Sequence, residues 1–461
     1  MYFRQPFLPI FLSLQSLSSR NSPPAARRPS PVRSAPEPAP DSLARALLLA
    51  SAAVAAVQAG RSLTEVLAQQ AKGELGPTRA QAQDLAYGAL RRYGWGEAVL
   101  AALLQKPLPE PQLQSLLLCA LYRLESRPEQ SHTVVDQAVA AAATLAKGNF
   151  RGVINGVLRS YLRQRPELLA RAAGKPSGAW WHPDWWLSRL RRAYPRDWEA
   201  IATAGNGQPP MTLRVNLARG SREEYQARLD AAGIAAAPLG SAALLLQKPV
   251  PVDALPGFFD GFVSVQDWGA QRAAELLDAR AGQRVLDACA APGGKTAHIL
   301  ERAGVDLLAL DVDGLRCRRV EENLSRLGLR AAVRAADARC PDDWWDGRPF
   351  DRILADVPCS ASGVVRRHPD SKWLRRETDI AQFARVQRQI LEVLWPTLAV
   401  GGRLLYATCS VFPDENSQQV SAFLARHGDA RRIGIDGADE LQLLPGSEHD
   451  GFYYALLEKT A

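Results

Sequence analysis

The sequence predicts a multidomain protein with three folded regions in series: an all-α bundle, a small α+β module and a C-terminal α/β domain. Two patterns lead to this prediction. Apolar residues recur at helical spacing from residue 41 to residue 166, whereas strand-like apolar runs alternate with helices from residue 262 onward. A chain of 461 residues is long enough for about three domains, each with its own core.

The first region, residues 41–166, is predicted to be a helical bundle. Asp41 or Ser42 can cap its first helix, and Ser62 precedes a second helix with Glu65 at the spacing of a capping box. Further helical runs follow, joined by loops such as KPLPEP: QAQDLAYGALRRYGW, LQSLLLCALYRL, TVVDQAVAAAATLA and VINGVLRSYLRQR. Helices of this kind bury their apolar faces against one another.

Residues 180–261 are predicted to form a small α+β module. The run TLRVNLA is strand-like, SREEYQARLDAAG is helical, and ALLLQ is a short strand before a turn-rich segment. The module opens with WWHPDWWLSRLRRAYPRDW, which mixes five of the eleven tryptophans with four arginines. Two interpretations of that opening remain equally open: an RNA-binding surface, or one face of a buried helix.

Residues 1–40 hold nine of the 32 prolines together with serine and arginine, which predicts a disordered tail without a core. An organellar transit peptide is disfavoured, because Pro6 and Pro9 interrupt the apolar run and no small-residue cleavage site stands out. Disorder, or a start codon placed upstream of the true one, explains the composition better. Whether these residues are present in the cell stays open.

The charge and cysteine counts narrow the class of protein. The net charge is +8, but five arginines and no acidic residue lie in residues 1–36, which leaves +3 for the rest and weakens charge as evidence for a nucleic-acid partner. Six cysteines occur without a CxxC pair, which argues against a zinc site or disulfides and favours a reducing cytoplasm. The longest apolar run has 12 residues, too few to span a bilayer.

The C-terminal region, residues 262–461, is predicted to contain a doubly wound sheet with a ligand at its first turn. The strand QRVLDACA runs into APGGKT and then a helix, so Gly293 and Gly294 lie where nucleotide-like ligands bind in such sheets. Cys289 stands where a phosphate-binding loop needs glycine, and the GxGxxG of dinucleotide-binding folds is absent. Neither ATP nor NAD is favoured.

Aspartates end three successive predicted strands of this domain. Asp311 ends LLALD, Asp337 ends VRAAD and Asp356 ends RILAD. A carboxylate after the second strand can accept both ribose hydroxyls, and one after the third lies near an adenine edge, although a single aspartate here would more often be a turn or helix cap. Together with the glycine turn, they predict a site for S-adenosyl-L-methionine.

Two cysteines lie at the same predicted edge: Cys359 in ADVPCSASG and Cys409 in YATCS. C5 of cytosine is too poor a nucleophile to take a methyl group from a sulfonium, but a thiolate that adds to C6 makes C5 enamine-like. Two thiols and Asp356 can supply most of the groups that this reaction needs, while the general base stays unidentified. Three other cysteines are expected to be small buried hydrophobic residues: Cys119, Cys317 and Cys340.

The chain resembles the RNA cytosine-C5 methyltransferases in four motifs: DACAAPGGKT, DRILADVPCSASGVVRRHPDSKW, GGRLLYATCSVFPDEN and GFYYALL. Within that superfamily it resembles the bacterial 16S rRNA cytosine-C5 methyltransferase B family, also called Fmu or Sun, in INGVLR, HPDWW, TLRVN and QDWGAQ. The resemblance covers about residues 42–461. It implies a NusB-like RNA-binding helical domain and a Rossmann-like class I S-adenosyl-L-methionine-dependent methyltransferase domain. Val357 stands where the family commonly has alanine and is expected to tighten the pocket slightly.

The resemblance also implies roles for individual residues. Cys409 is the nucleophile, Cys359 assists product release, and Asp356 lies near the target base. The implied cofactor contacts are Asp311, Asp337, Asp356 and the loop of Cys289, Ala290, Ala291, Pro292, Gly293, Gly294 and Lys295. The candidates for RNA contact are Arg214, Arg366, Arg367, His368 and Lys372. Most of these follow the PCS loop, where basic groups can hold the phosphates beside a flipped-out cytosine.

The expected activity is methyl transfer from S-adenosyl-L-methionine to C5 of one cytosine of 16S rRNA, conventionally numbered 967, through a covalent cysteine adduct. The expected partner is that rRNA, free or in a partly assembled small subunit, and the enzyme is expected to be a cytoplasmic monomer without a metal. One alternative is methylation of tRNA or another rRNA site, which the helical domain disfavours. The other is a non-catalytic RNA-binding assembly factor, which the presence of Cys409, Asp356 and the glycine turn disfavours.

Overall fold

The computed structural model describes residues 37–70 and 72–461. Residues 1–36 of the predicted tail therefore lie outside the described residues. Ser42 caps the first helix, since its Oγ accepts a hydrogen bond from the Arg45 amide at 3.2 Å. Within the described part of the chain, no helix has both the length and the apolar character that crossing a membrane requires.

Residues 43–206 are built from helices, as their apolar periodicity predicts. Leucine, alanine and valine side chains of the first eight helices form one continuous core, with Trp95 and Tyr161 inside it. The helices are α1 Leu43–Gln58, α2 Leu63–Gln70, α3 Gly76–Arg91, α4 Tyr93–Leu103, α5 Pro111–Ser126, α6 Ser131–Ala142, α7 Arg151–Arg163, α8 Arg165–Ala173, α9 Pro176–Trp180, α10 Asp184–Ala193 and α11 Trp198–Asn206.

A four-stranded antiparallel sheet follows, in the order β2-β3-β1-β4. Its elements are β1 Thr212–Val215, α12 Arg222–Ala231, β2 Ala236–Leu239, β3 Ala243–Leu246 and β4 Val263–Val265. Helix α12 starts with a capping box of Ser221 and Glu224 and packs Tyr225 and Leu229 onto the sheet. Strand β4 lies beyond residue 261, where the predicted module ends, because three residues before the next helix do not stand out as a strand in sequence.

The C-terminal domain contains a mixed eight-stranded sheet in the order β10-β12-β9-β8-β5-β6-β7, with β11 paired to β12. Its strands are β5 Arg284–Asp287, β6 Asp306–Asp311, β7 Ala332–Ala335, β8 Phe350–Asp356, β9 Leu398–Thr408, β10 Ala430–Ile433, β11 Leu441–Leu443 and β12 Phe452–Lys459. Its helices are α13 Trp268–Leu277, α14 Gly294–Arg302, α15 Gly314–Leu327, α16 Ser371–Leu374, α17 Glu377–Leu394 and α18 Ser417–Leu424. The strand-like runs read from the sequence form β5 to β9 and β12, while the short strands β10 and β11 were not predicted.

The order of the parallel strands reverses at β5, which has β8 on one side and β6 on the other. In open α/β sheets a ligand binds beyond the carboxyl ends of the strands at such a point, because the flanking loops leave in opposite directions and open a crevice. Asp287 ends β5, Asp311 ends β6 and Asp356 ends β8. Three carboxylates therefore lie at the point where the fold places a ligand.

A segment of the C-terminal domain, residues 366–374, packs into the helical region. Asp370 accepts a hydrogen bond from the Leu63 amide at 3.0 Å, at the start of α2. Lys372 is fully buried, and its Nζ donates to the carbonyl oxygen of Trp181 at 2.8 Å. Burial lowers the pKa of Lys372 well below its ordinary value. Since the segment continues the loop that follows β8, the helical region supports that loop.

Arg214 of β1 joins the small sheet to α14 through a buried ion pair. Its guanidinium donates to the two carboxylate oxygens of Glu301 at 2.8 and 2.7 Å and to the Gly294 carbonyl oxygen at 2.7 Å. The charged side chains of Arg214 and Glu301 are 0% and 2% exposed. Arg214 is therefore a structural residue that links two domains, and the expectation that it contacts RNA is wrong.

Replacing Arg214 with methionine should destabilise the protein, because Glu301 would stay buried without its partner. Loss of one member of a buried ion pair costs about 3–5 kcal/mol in free energy of unfolding. Urea denaturation followed by circular dichroism measures this change. Arg330→Met, at an exposed arginine, is the control and should change the free energy of unfolding by less than about 0.5 kcal/mol. An Arg214→Met protein as stable as the wild type would contradict the ion pair.

Candidate active site

Two cysteine loops leave neighbouring parallel strands at the same edge of the sheet. Strands β8 and β9 pair with Asp356 opposite Ala407, so Cys359 lies three residues beyond that pair and Cys409 two residues beyond it. The Gly363 amide donates to the Cys409 carbonyl oxygen at 2.8 Å, which connects the two loops. The two sulfur atoms are 3.3 Å apart. The structure therefore brings together the two cysteines that the sequence singled out.

The surroundings give the thiols at this edge different properties. The hydrogen bond with Cys409, together with burial, raises the pKa of Cys359 well above its ordinary value, so this group is a thiol at neutral pH. Burial, with the carboxylates of Asp356 and Asp287, also raises the pKa of Cys289 well above its ordinary value. Cys289 is thus a poor nucleophile, because the thiolate is the reactive form. A protonated Cys359 is suited to donate a hydrogen bond to the sulfur of Cys409.

Lys295 connects the glycine turn to the cysteine loops. Its Nζ lies 2.5 Å from Oδ2 of Asp356. Burial on its own lowers the pKa of a lysine, but the charge of Asp356 and the hydrogen bond to it outweigh burial and raise the pKa of Lys295 above its ordinary value. Both residues were predicted site residues, yet the bond between them was not predicted. The pair places a fixed cation beside the carboxylate that precedes Cys359.

The turn between β5 and α14 requires glycine. Gly293 has a φ of +93°, and a Cβ there would lie 3.1 Å from the Cα of Val320, so a larger residue would be strained and crowded. The Ala290 amide donates to the Leu310 carbonyl oxygen at 2.7 Å and anchors the turn to β6. The tight glycine turn predicted from the sequence is therefore present at the carboxyl end of β5.

Asp311 ends β6 as predicted, whereas Asp337 lies two residues beyond the end of β7, and the two carboxylates have different partners. Asp311 is buried, and its carboxylate accepts hydrogen bonds from the amides of Ala291 at 3.2 Å and Asp313 at 3.1 Å. Asp337 accepts a hydrogen bond from the guanidinium of Arg339 at 2.6 Å, an interaction that lowers the pKa of Asp337. Asp311 thus holds the glycine turn against β6, while Asp337 stays ionised beyond the end of β7.

Asp287 is a further site residue to which the sequence reasoning gave no role. Thr296 Oγ1 donates to its Oδ2 at 2.7 Å, whereas Oδ1 is buried with no hydrogen-bond partner among the described residues. Burial raises the pKa of Asp287 to about 7. A buried acceptor without a partner, next to the glycine turn, can receive a donor from a ligand. The sequence did contain a signal, because Asp287 opens the motif DACAAPGGKT.

Four of the five basic side chains expected to contact RNA are bonded within the protein, and three of them are buried and therefore poorly placed for RNA: Arg214, Arg366 and Lys372. Arg214 pairs with Glu301, Lys372 with backbone carbonyls, Arg366 with Asp450, and Arg367 with Asp450 and Asp267. Of the five, His368 is exposed and Arg367 is half-buried, and both line a groove with Tyr87 and Arg91 of the helical region. The sequence shows where charges lie along the chain, but not which of them the fold neutralises.

The tryptophan-rich segment is structural on its inner face. Trp186 of α10 is buried and packs edge-on against Phe412, with 5.2 Å between the ring centroids. Phe412 lies three residues after Cys409, so α10 supports the second cysteine loop from behind. Arg191 and Arg192 on the same helix remain exposed. Trp181 and Trp185, whose spacing of four suggested one buried helix face, do not share a helix, because Trp181 has a φ of +56° after α9 and α10 begins at Asp184. The buried tryptophan of α10 is Trp186, and the exposed arginines lie on its other face.

Two smaller expectations from the sequence are wrong. Val357 is buried in the hydrophobic core with Ala355 and Tyr406, so it is a core residue and does not narrow an open pocket. Cys340 is exposed, whereas Cys119 and Cys317 are buried as expected. The turn after β7 carries Cys340 to the surface, which a pattern of apolar residues does not reveal.

The fold and the site define a class of protein, the S-adenosyl-L-methionine-dependent methyltransferases. The sheet is Rossmann-like with an antiparallel strand β12, and a glycine turn follows β5. The cofactor is S-adenosyl-L-methionine, which when bound supplies an electrophilic methyl group on a positively charged sulfur. The residues fit this group, because the crevice offers acidic side chains and, at Asp287, a buried acceptor to which no described residue donates a hydrogen bond.

Comparison with protein families gives three matches. The 16S rRNA methyltransferase RsmB/F family matches residues 274–458, its ferredoxin-like domain matches residues 182–253, and the NusB family matches residues 44–163. The chain is 48% identical over 418 residues to Ribosomal RNA small subunit methyltransferase B of Vibrio cholerae, with 89% of this chain and 96% of that protein covered. It is 47% identical over 408 residues to the protein of the same name from Serratia proteamaculans, with 87% and 95% covered.

The chain belongs to the 16S rRNA methyltransferase RsmB/F family, as its motifs indicate. Among solved structures it is similar to that of PH0851, with a TM-score of 0.75 at 23% identity, covering 90% of this chain and 99% of that one. It is also similar to a methyltransferase homolog protein from Pyrococcus horikoshii, with a TM-score of 0.52 at 26% identity, covering 59% and 93%. The similarity to PH0851 shows that the whole arrangement of domains occurs in another protein.

Asp287 should make the stability of the cofactor-free protein depend on pH. Its pKa of about 7 in the folded protein exceeds the value of about 3.9 in an unfolded chain, so the free energy of unfolding falls as pH rises between these values. Asp287→Asn removes this contribution. Relative to the wild type, the variant should gain up to about 1.4 kcal/mol per pH unit from about pH 5 to pH 7.

Urea denaturation at several pH values measures this difference. Asp342→Asn, at an exposed aspartate, is the control and should show no such trend. A difference between Asp287→Asn and the wild type that stays constant with pH would show that the pKa of Asp287 is not raised.

Asp311→Ala should weaken the binding of S-adenosyl-L-methionine. A hydrogen bond to a charged group is worth about 1.5–3 kcal/mol, which corresponds to roughly a 10- to 100-fold increase in dissociation constant. The loss of the Ala291 contact adds to this effect, because the glycine turn is then held less firmly. Titration calorimetry with the cofactor measures the affinity, and Asp342→Ala should bind like the wild type. Unchanged affinity in Asp311→Ala would remove Asp311 from the cofactor site.

Proposed function

We propose that the protein transfers a methyl group from S-adenosyl-L-methionine to C5 of a cytosine in 16S rRNA, through a covalent bond between Cys409 and C6. The observation that carries this proposal is the pair of thiols 3.3 Å apart, next to an acidic residue bonded to the glycine-turn lysine. A methyltransferase that attacks an already nucleophilic oxygen or nitrogen needs no thiol. Two thiols at one strand edge are explained by a carbon that must first be activated.

The cofactor is proposed to lie in the crevice at the carboxyl ends of β5, β6 and β8. Asp311 accepts the ribose hydroxyls, Asp337 lies toward the adenine, and the loop of residues 289–295 contacts the methionine end. Asp287 adds a buried acceptor for the amino group, since its Oδ1 is otherwise without a partner among the described residues. Lys295 contributes by holding Asp356 in place.

The reaction proceeds in three bond changes at the base. The sulfur of Cys409 adds to C6, and the electron pair of the C5–C6 double bond becomes available at C5. C5 then takes the methyl group, and the sulfur that carried it leaves as a neutral thioether. Loss of the C5 proton to a base restores the C5–C6 double bond and expels Cys409 from C6, which frees the product.

Asp356 is proposed to serve the first of these steps, and Cys359 the last. Cys359 is held as a thiol at 3.3 Å from Cys409, so it can give a hydrogen bond to the sulfur that departs from C6. Asp356, the last residue of β8, is proposed to accept a hydrogen bond from the amino group of the cytosine, which would hold C6 in place for attack by Cys409. The general base that takes the C5 proton is not assigned.

The rRNA substrate is supported by the relatives, which are named small subunit rRNA methyltransferases and cover most of this chain. The helical region matches the NusB family, and the groove lined by Tyr87, Arg91 and His368 separates it from the C-terminal domain. Residue 967 of 16S rRNA is the proposed target nucleotide. The alternatives are a cytosine of tRNA or of another rRNA site, and RNA binding without catalysis.

The test is incubation of the purified protein with methyl-labelled S-adenosyl-L-methionine and unmethylated 16S rRNA, 23S rRNA or tRNA, with product mapped by bisulfite sequencing. Cys409→Ala should lose at least about 1,000-fold in rate and form no covalent adduct, because the nucleophile is absent. Cys359→Ala should accumulate an RNA adduct that survives a denaturing gel. Cys340→Ala, at an exposed thiol outside the two loops, should behave like the wild type.

Each arm of this experiment decides a different point. Full activity in Cys409→Ala would refute the covalent mechanism. Label in tRNA or 23S rRNA alone would keep the mechanism and replace the substrate. Tight binding of 16S rRNA with no label in any RNA would favour the assembly factor.

A further inference from the structure

Glu415 is a fully buried carboxylate that lies between the two cysteine loops. Its Oε1 accepts a hydrogen bond from the amide of Ser360 at 2.8 Å, and its Oε2 accepts hydrogen bonds from the hydroxyls of Ser360 at 2.6 Å and Ser410 at 2.5 Å. Ser360 directly follows Cys359, and Ser410 directly follows Cys409. One carboxylate therefore binds the residue next to each of the two thiols.

A glutamine extends this arrangement to the start of the first loop. Gln387 Nε2, on α17, donates to the Pro358 carbonyl oxygen at 3.0 Å and to Glu415 Oε1 at 3.3 Å. The Tyr406 hydroxyl donates to the backbone carbonyl oxygen of Glu415 at 2.6 Å and fixes the turn that carries it. The backbone of Glu415 is thus fixed by Tyr406, while its side chain bonds to both cysteine loops.

Hydrogen bonds to an ionised acceptor are shorter and stronger than those between neutral groups. In a buried site, an acceptor that loses such a bond destabilises the protein, because water cannot replace the donor. Burial raises the pKa of Glu415, while the hydrogen bonds from Ser360, Ser410 and Gln387 oppose that rise. Serine follows the cysteine in both motifs, PCS and TCS. Its hydroxyl is small enough to turn inward to a shared acceptor while the thiol of the preceding residue points elsewhere. The shared acceptor gives a physical reason for serine in both places.

We propose that Glu415 is a positioning residue that sets the distance between Cys359 and Cys409 by binding Ser360 and Ser410 on one carboxylate. Glu415 acts through the two serines and does not touch the substrate. The catalytic consequence rests on the proposed function: the departing sulfur of Cys409 needs the thiol of Cys359 within reach. Loss of the hydrogen bonds from Ser360 and Ser410 to Glu415 should slow release of the product more than it slows binding of RNA or cofactor.

The distance between the thiols can be tested without any RNA. Diamide, an azo compound, takes two electrons and two protons from two nearby thiols, which leaves a disulfide and a hydrazine. All proteins carry Cys340→Ala so that the exposed thiol does not compete. Mass spectrometry of the digest follows the Cys359–Cys409 disulfide with time. Glu415→Gln should form it at least about 10-fold more slowly than the Cys340→Ala parent, because the carboxylate that aligns the loops is lost.

A matched control separates positioning from a general effect of removing a carboxylate. Glu275 accepts hydrogen bonds from Ser241 and Arg272, each at 2.8 Å, and contacts neither cysteine loop. Glu275→Gln should form the disulfide at the rate of the parent. Disulfide formation at the parent rate in a folded Glu415→Gln protein would overturn the proposal. If Glu415→Gln does not fold, Ser360→Ala and Ser410→Ala decide by the same measurement, and parent rates in both would overturn it.

The catalytic arm uses 16S rRNA and the labelled cofactor. Glu415→Gln should lower kcat by roughly 10- to 100-fold with little change in KM for RNA, and it should accumulate the covalent adduct as Cys359→Ala does. A merely structural loss would lower the melting temperature and cofactor affinity without raising the adduct fraction. If the parent protein makes no 5-methylcytosine while the disulfide rates differ as expected, the proposed function fails and the positioning role stands. If the parent methylates and the disulfide rates are equal, the positioning role fails alone.

Discussion

The pairing of β8 with β9 determines where the two thiols of the proposed reaction meet. Parallel neighbours end at the same edge of a sheet, so the register that sets Asp356 opposite Ala407 also brings Cys359 and Cys409 to one point. The reversal of strand order at β5 opens the cofactor crevice beside that point. A shift of one residue in this register would turn each side chain to the other face of the sheet and separate the thiols.

The cysteine loops are supported from behind by the rest of the chain. Trp186 packs on Phe412 of the second loop, while Asp370 and Lys372, which follow the first loop, bond to the helical region. Loops without such support are usually the least stable parts of a fold. Here Ser360 and Ser410 are buried beside the half-buried Cys359 and Cys409. Such support suits the proposed reaction with two thiols, because a displacement of about 1 Å between reacting groups can cost 100-fold in rate.

The sequence was sufficient for the parts of the site that follow from topology. Aspartates and cysteines at the ends of buried runs, as with Asp356, lie together because parallel strands place them together. It was insufficient wherever the partner of a side chain is distant in the chain. Arg214 and Glu301 are 87 residues apart, and Ser360 and Glu415 are 55 apart, so neither pairing leaves a local pattern. Such distant pairs allow charged side chains to be buried. Reasoning from sequence alone does not see the partner and therefore places the charged side chain at the surface.

This distinction also changes how the protein is expected to hold RNA. Each phosphate contact that releases a counterion needs a basic group free to approach the nucleic acid. Arg366 and Arg367 form ion pairs with Asp450, so we expect the segment after the first cysteine loop to contribute less to phosphate binding than its two arginines suggest. Arg191 and Arg192 on α10 are exposed, so their charged groups can approach a nucleic acid. For the proposed rRNA substrate, we therefore expect phosphate contacts at exposed arginines of the helical region, with the cysteine loops contacting the single base that is proposed to react.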